Sequence, residues 1–276
     1  MSRQTGTPRT GMSRPAPLRI GEAAAAGPRS SSTPSPPKIN GWSKQTPAVP
    51  EPEALAELPL FYGLTIEQLS RLRAPLQCKK YPASTEIITV DQPGEIAYII
   101  LDGSAKIHIG QPDGSDVILT ILGAGEIVGE MSLADSFGHS ATVTTLEPST
   151  LLLIDRVTFW ASLKEIPTMA YNLMSILSRR LRLANMHRQS LVRLDVYGRV
   201  ACQLLAFAQE YGDAAPNGAV VIPLRLTQSD LASMVGASRV RVNQALSFYR
   251  RRGYISLNYD RHIVIHDSAG LSHRCS

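Results

Sequence analysis

A chain of 276 residues has room for two modest domains, and a hydrophobic content of 43% is ordinary for a globular protein. No apolar run approaches the roughly 18 residues of a membrane-spanning helix, so no membrane partner is expected. The three cysteines, Cys78, Cys202 and Cys275, are widely separated and form no CxxC pair. They argue against a disulfide framework, a zinc site or an iron–sulfur cluster and read as three reduced thiols in a cytoplasm.

The formal charge of +5 is segregated along the chain. Residues 1–52 carry seven Lys+Arg against two Asp+Glu, residues 53–170 seven against fifteen, and residues 171–276 fourteen against six. Every basic residue of the final third is an arginine. An acidic middle followed by an arginine-rich end points to a C-terminal part that faces nucleic acid.

Residues 1–52 contain ten prolines and no apolar periodicity, and are expected to be a disordered tail. Repeated proline excludes the amphipathic helix of a transit peptide. Over residues 53–165, "LTIEQLSRL" (64–72) predicts a short helix capped by Thr65. Short strands follow: "EIITV", "IAYIILDG", "SAKIHIG", "DVILTIL", "EIVGEM", "SATVTTLE" and "TLLLID", with "QPDGSD" as a hairpin turn. So many short strands predict a small antiparallel barrel or roll.

"TFWASLKEIP" closes the roll as a helix, and Pro167 opens a long one across 166–194. Met174, Leu177, Leu181, Ala184, Arg188 and Leu191 recur in steps of three and four, a heptad-like seam. Leu173, Ile176 and Leu183 give a second apolar face for the roll, so the seam is left for a parallel helix pair in a dimer. Asp195 is placed to cap the next helix, where Val200, Leu204, Leu205 and Phe207 form a core stripe. A strand over "AVVIPLRL" then leads to the segment that decides function.

Residues 226–255, "LTQSDLASMVGASRVRVNQALSFYRRRGYI", have the order of a helix-turn-helix. Thr227 with Asp230 forms a capping box, Gly236 permits the turn, and Ser238 caps the second helix. Val242, Leu246 and Tyr249 fall on one face of that helix. Val240, Asn243, Gln244 and Ser247 lie roughly opposite, with Arg239 and Arg241 in the first turn. Arginine, amides and one small apolar residue are the groups that read base edges, and Thr227, Gln228 and Ser238 stand beside them as further DNA contacts. "YISLNYDRHIVIH" alternates as a hairpin, a wing for phosphate. The expected partner is double-stranded DNA.

In this order, the roll, the long helix, the hinge "RLDVYGR" and a winged helix with "VGASRVRV" resemble the Crp/Fnr family of bacterial transcription regulators. The likeness runs over residues 55–267. It implies an α+β fold: an N-terminal antiparallel, jelly-roll-like β-roll (53–165), a dimerisation helix (166–194), and a winged helix-turn-helix (195–268) followed by a tail (269–276). It further implies a cytoplasmic homodimer on a palindromic site, contact with RNA polymerase, and a small effector in the roll. No cysteine precedes Cys78, so the cluster-bearing oxygen sensors of the family are a poor match.

The family's pocket maps onto "GEIVGEMSLADSFGHSATV" (125–143). Gly129 would offer its N–H, Glu130 would accept from a ribose hydroxyl, and Ser140 would bond the cyclic phosphate. The phosphate-binding arginine of cAMP-responsive members falls on His139, which replaces a permanent forked cation by a single donor of partial charge. Their two adenine-contacting hydroxyl residues fall on Ala184 and Asn185, and Arg180 keeps a matching position. Tight cAMP binding is therefore not expected. Weak cyclic-nucleotide control, another nucleotide (a cyclic dinucleotide included) or metabolite, and regulation without effector all stay open. So does a ligand-binding dimer without a DNA function. No GxxxxGK[ST], HExxH or GxSxG motif is present, and no enzyme is expected.

Overall fold

A computed structural model describes residues 47–275, Asp113 and Ser136 excepted. Residues 1–46 of the expected tail (1–52) thus lie outside the described residues. Its last residue, Pro52, instead opens a short helix, α1 (Pro52–Leu55), whose Leu55 is fully buried. Proline suits that first position because its missing N–H would have had no helical partner. Helix α2 (Ile66–Arg73) begins as the sequence predicts: Gln68 N–H donates to Thr65 Oγ1 at 3.2 Å and Thr65 N–H to Gln68 Oε1 at 2.9 Å.

The roll comprises β1 (Gln77–Tyr81), β2 (Glu86–Ile88), β3 (Ile96–Asp102), β4 (Ala105–Gly110), β5 (Asp116–Leu122), β6 (Ile127–Val128), helix α3 (Glu130–Asp135), β7 (Thr142–Thr145) and β8 (Ser149–Asp155). They form two antiparallel four-stranded sheets, ordered β1-β8-β3-β6 and β2-β7-β4-β5. Leu151 and Leu153 of β8 point between the sheets with Ile100, Val128 and Val143. Leu152 and Ile154 point the other way, into a second core with Phe61, Leu69, Phe159 and Met169. Burial on both faces explains why "TLLLID" is continuously apolar instead of alternating.

One strand expectation fails. "EIVGEM" is extended only at Ile127–Val128 and then turns into α3. Gly129 makes the break at φ +85°, and a Cβ there would stand 2.9 Å from the Ile96 carbonyl oxygen. Only glycine fits both the left-handed backbone and the close approach.

Asp155 caps α4 (Arg156–Glu165), and Pro167 opens α5 (Pro167–Arg193), 27 residues or about 40 Å long. Met169, Leu173 and Ile176 bury against the roll, while Leu183 is half-buried. Asp195 Oδ1 accepts from Gly198 N–H at 2.8 Å to cap α6 (Val196–Tyr211), whose Val200, Leu204 and Phe207 are buried and Leu205 half-buried.

The C-terminal part adds β9 (Asp213–Ala214), β10 (Val220–Ile222), α7 (Gln228–Met234), α8 (Arg239–Arg251), β11 (Ile255–Leu257), β12 (Ile263–Ile265) and α9 (Ser268–Ser272), its strands ordered β11-β12-β10-β9. The expected strand "AVVIPLRL" stops at Ile222 because Pro223 has no N–H for the ladder. Two further expectations are corrected. Residues 269–276 were expected as a tail, yet Ser268–Ser272 is helical, with Leu271 in the core and Asp267 as cap. Three free thiols were expected, yet Cys202 and Cys275 are disulfide-bonded across 73 residues, and Cys78 alone is free and buried. Sequence separation concealed the pair because α9 folds back over α6.

Candidate effector pocket and nucleic-acid interface

The candidate pocket begins where β6 pairs with β3 and Gly129 turns the chain into the first turn of α3. Glu130 is only 4% exposed, and its Oε1 accepts from Arg180 Nη1 at 2.9 Å. Arg180 also donates through Nη2 to Glu126 Oε2 and to the Ile127 carbonyl, both at 2.6 Å. Glu126 takes a further bond from Arg179, which reaches Glu210 of α6 with its other arm. A chain of alternating charge thus runs Glu130, Arg180, Glu126, Arg179, Glu210, from the roll to the DNA-binding part. Burial pushes the Glu130 carboxyl above its ordinary range, and the Arg180 charge pulls the other way.

The loop after α3 is stitched to residues 91–93. Asp91 N–H donates to the His139 carbonyl at 2.8 Å and His139 N–H to the Gln92 carbonyl at 2.9 Å. Gly138 lies so near Asp91 that a Cβ would meet its carbonyl oxygen at 2.8 Å. The imidazole Nδ1 of His139 lies 2.7 Å from Ser132 Oγ, whose hydroxyl donates to the Gly129 carbonyl at 3.2 Å. With that hydroxyl proton directed to Gly129, His139 is the donor to Ser132 through Nδ1–H. Burial holds the imidazole below its usual pKa, which favours the neutral ring.

Of the sequence-predicted pocket residues, Gly129, Glu130 and Arg180 come together, and His139 joins them through Ser132. Ser140 and Asn185 are exposed. The sequence reading missed Glu126, Arg179 and Glu210. Glu126 stands one turn of chain ahead of Glu130 in "GEIVGE", and Arg179 stands beside Arg180. Nothing local in the sequence, however, shows that these groups pair across 31 to 54 positions.

In the second site, Thr227 and Asp230 form the expected reciprocal cap of α7. Gly236 takes φ +59°, and Ser238 Oγ accepts from Arg241 N–H at 3.4 Å to start α8. Val242, Ala245, Leu246 and Tyr249 bury one face of α8, and the Tyr249 hydroxyl donates to the Tyr197 carbonyl at 2.7 Å. Arg239, Val240, Arg241, Asn243 and Gln244 are exposed, Val240 by 66%. Ser247 is half-buried, and Gln228 donates to Asn243 Oδ1 at 3.0 Å, which tethers one outward amide to α7. The seam of α5 is equally bare: Met174 is 61% and Leu181 64% exposed, and Leu177, Ala184, Arg188 and Leu191 are exposed as well.

The roll and the winged helix also meet at β5, an edge strand. Ser233 of α7 donates its hydroxyl to the Asp116 carbonyl at 2.6 Å and accepts from Ile118 N–H at 2.9 Å. One side chain thereby satisfies two edge groups that would otherwise face solvent. Ile118 and Ile121 complete the core of α6, α7 and α8.

A roll with an inward carboxylate cradle, joined through a long helix to a winged helix, defines a class: ligand-binding-type roll plus DNA reader. A model of the cyclic nucleotide-binding domain matches residues 78–165, and one of the Crp-like helix-turn-helix domain matches residues 198–274. The chain is 35% identical over 222 residues to a CRP-like cAMP-activated global transcriptional regulator of Mycobacterium tuberculosis, covering 80% of this chain and 98% of that protein. It is 30% identical to the cyclic AMP receptor protein of Thermus thermophilus, over 72% of this chain and 88% of that one. Among solved structures, FixK2 from Bradyrhizobium japonicum superposes with a TM-score of 0.64 at 22% identity, over 73% of this chain and 98% of that one, a likeness of fold. The chain belongs to the Crp/Fnr family and is a DNA-binding transcription regulator of that type. Among the described residues no helix is long and apolar enough to cross a membrane.

Proposed function

We propose that the chain works in the cytoplasm as a homodimer on an inverted-repeat DNA site, with one α8 in the major groove of each half-site, and that it contacts RNA polymerase from there. The outward face of α8 carries this reading: Arg239, Val240, Asn243 and Gln244 are exposed while the opposite face is buried. The bare seam of α5 supports a two-fold pairing of parallel helices. Arg239 suits guanine, Val240 a thymine methyl and Gln244 adenine, so A·T pairs should neighbour the guanine. Thr227, Gln228, Ser238, Arg241 and Ser247 stand around this face as further contacts. Selection of sites from random DNA, followed by footprinting, tests the reading. Half-site centres one helical turn apart, about 34 Å, are expected. A monomer footprint on one asymmetric half-site would sink it.

A second observation favours regulation without a cyclic nucleotide. The Glu130 carboxylate, the group suited to a ribose hydroxyl, is already bonded to Arg180, and the His139 ring to Ser132. A nucleotide would have to displace the first contact and protonate a half-buried imidazole. Operator binding should therefore be unchanged by cAMP, cGMP or cyclic di-GMP at micromolar concentration. A tenfold gain in operator affinity with any of them would overturn this second reading and leave the first intact.

A further inference from the structure

Cys202 lies on α6, and Cys275 follows α9 near the chain end, with their Cα atoms 5.4 Å apart. That separation is in the range a disulfide spans without moving the backbone. Three independent contacts seat the C-terminal segment there. Leu271 is fully buried in the winged-helix core. The Arg274 carbonyl passes so close to Gly198 that a Cβ on that glycine would come within 2.7 Å of its oxygen. The Arg274 guanidinium lies 5.5 Å from the ring centre of Phe248, a residue of α8. The closed loop therefore encloses α7, the recognition helix and the wing, and its last residues press on the recognition helix.

We propose that Cys202 and Cys275 form a reversible thiol–disulfide exchange site that tightens the winged helix when oxidised, with low-molecular-weight disulfides of the glutathione type as oxidant. One cysteine thiolate attacks the small disulfide, forming a mixed disulfide and expelling one small thiolate. The second cysteine thiolate then attacks the protein sulfur of that mixed disulfide. The Cys202–Cys275 bond forms and the second small thiolate leaves. Two protein thiols are oxidised, one small disulfide is reduced to two thiols, and the reverse sequence opens the bond. Access decides which cysteines react: Cys202 and Cys275 are half-buried, and Cys275 lies beyond the last core residue, Leu271. Cys78 is 2% exposed, with its thiol pKa raised by burial, so it serves as an internal control. Closing a long loop restricts the unfolded chain, so the oxidised form gains stability while the capped α9 and its buried Leu271 keep the reduced form folded.

The full chain, equilibrated with glutathione mixtures and then denatured and alkylated, should carry three blocked thiols under reducing conditions. Under oxidising conditions it should carry one, on Cys78, together with a cross-linked Cys202–Cys275 peptide. The oxidised protein should melt about 5 °C or more above the reduced one. Cys275→Ser, and independently a chain ending at Arg274, should abolish that shift. Three alkylated thiols after oxidation would overturn the proposal. So would a bond that survives excess reduced glutathione in the native protein, or equal melting of the two forms. None of these readouts uses DNA or nucleotide.

Discussion

Arginine and carboxylate are used in opposite ways in the two halves of the molecule. Where the roll meets α5, Glu126 and Glu130 pair with Arg179 and Arg180, and the two carboxylates are buried. On α8, Arg239 and Arg241 stand in solvent beside two amides and Val240. A charged group held by its own chain is less available to a ligand, because binding must first break a bond in a region of low dielectric. A charged group left in water loses little when a partner arrives, and a polyanion such as DNA rewards it by releasing counterions. The two candidate sites are thus differently prepared in this chain: the outward face of α8 lies in solvent, whereas the charged groups around Glu130 are already paired with one another.

The largest effect should come from removing the centre of the internal network. Glu126→Ala would strip Arg179 and Arg180 of their shared carboxylate in a partly buried site, leaving Glu210 to the one and Glu130 to the other. Since both arginines keep some solvent, the loss should fall near the low end for a broken buried pair, about 3 kcal/mol. Urea unfolding checks it, and an unchanged midpoint would mean the network carries no net stability. Next comes Arg239→Ala, which should cost about 1–3 kcal/mol of operator binding and relax preference at a single base pair, with stability unaltered. Fluorescence anisotropy on matched and mismatched sites would expose an equal loss on both, the mark of a phosphate contact instead.

A smaller effect concerns His139 and pH. Burial lowers its pKa in the free protein, and a bound phosphate would raise it, so binding takes up a proton. Cyclic-nucleotide affinity should accordingly rise as pH falls, by about tenfold between pH 8 and pH 6. His139→Arg should tighten binding and remove that dependence, because guanidinium remains charged throughout. Isothermal titration of cAMP and cGMP into both proteins at both pH values tests it. Tight binding by the unaltered protein at both values would assign the phosphate to another cation, Arg180 first. Smallest is Ser233→Ala, which strands Ile118 N–H and the Asp116 carbonyl at the β5 edge and should destabilise the protein by about 1 kcal/mol. Hydrogen exchange at Ile118 should quicken, and unchanged protection there would show that another group or water replaces the serine.

What the sequence determined by itself was mostly local. Thr65, Asp195, Thr227 and Ser238 act as caps because an oxygen two or three residues ahead of a helix N–H reaches it without help from the rest of the chain. The faces of α5 and α8 were legible because helical periodicity is a property of neighbouring residues. The order of roll, long helix and winged helix carried the family likeness, and with it the class of function. Tertiary structure decided what depends on approach between distant segments. It turned "EIVGEM" into a two-residue strand and a helix, since the nearness of Ile96 to Gly129 is set by sheet pairing. It placed Glu210 beside Arg179, and Ser233 on the edge of β5. It also brought Cys275 to Cys202 by docking α9 on α6. Local pattern carries no information on such meetings, because burial and charge pairing are settled by which surfaces the packed core brings together.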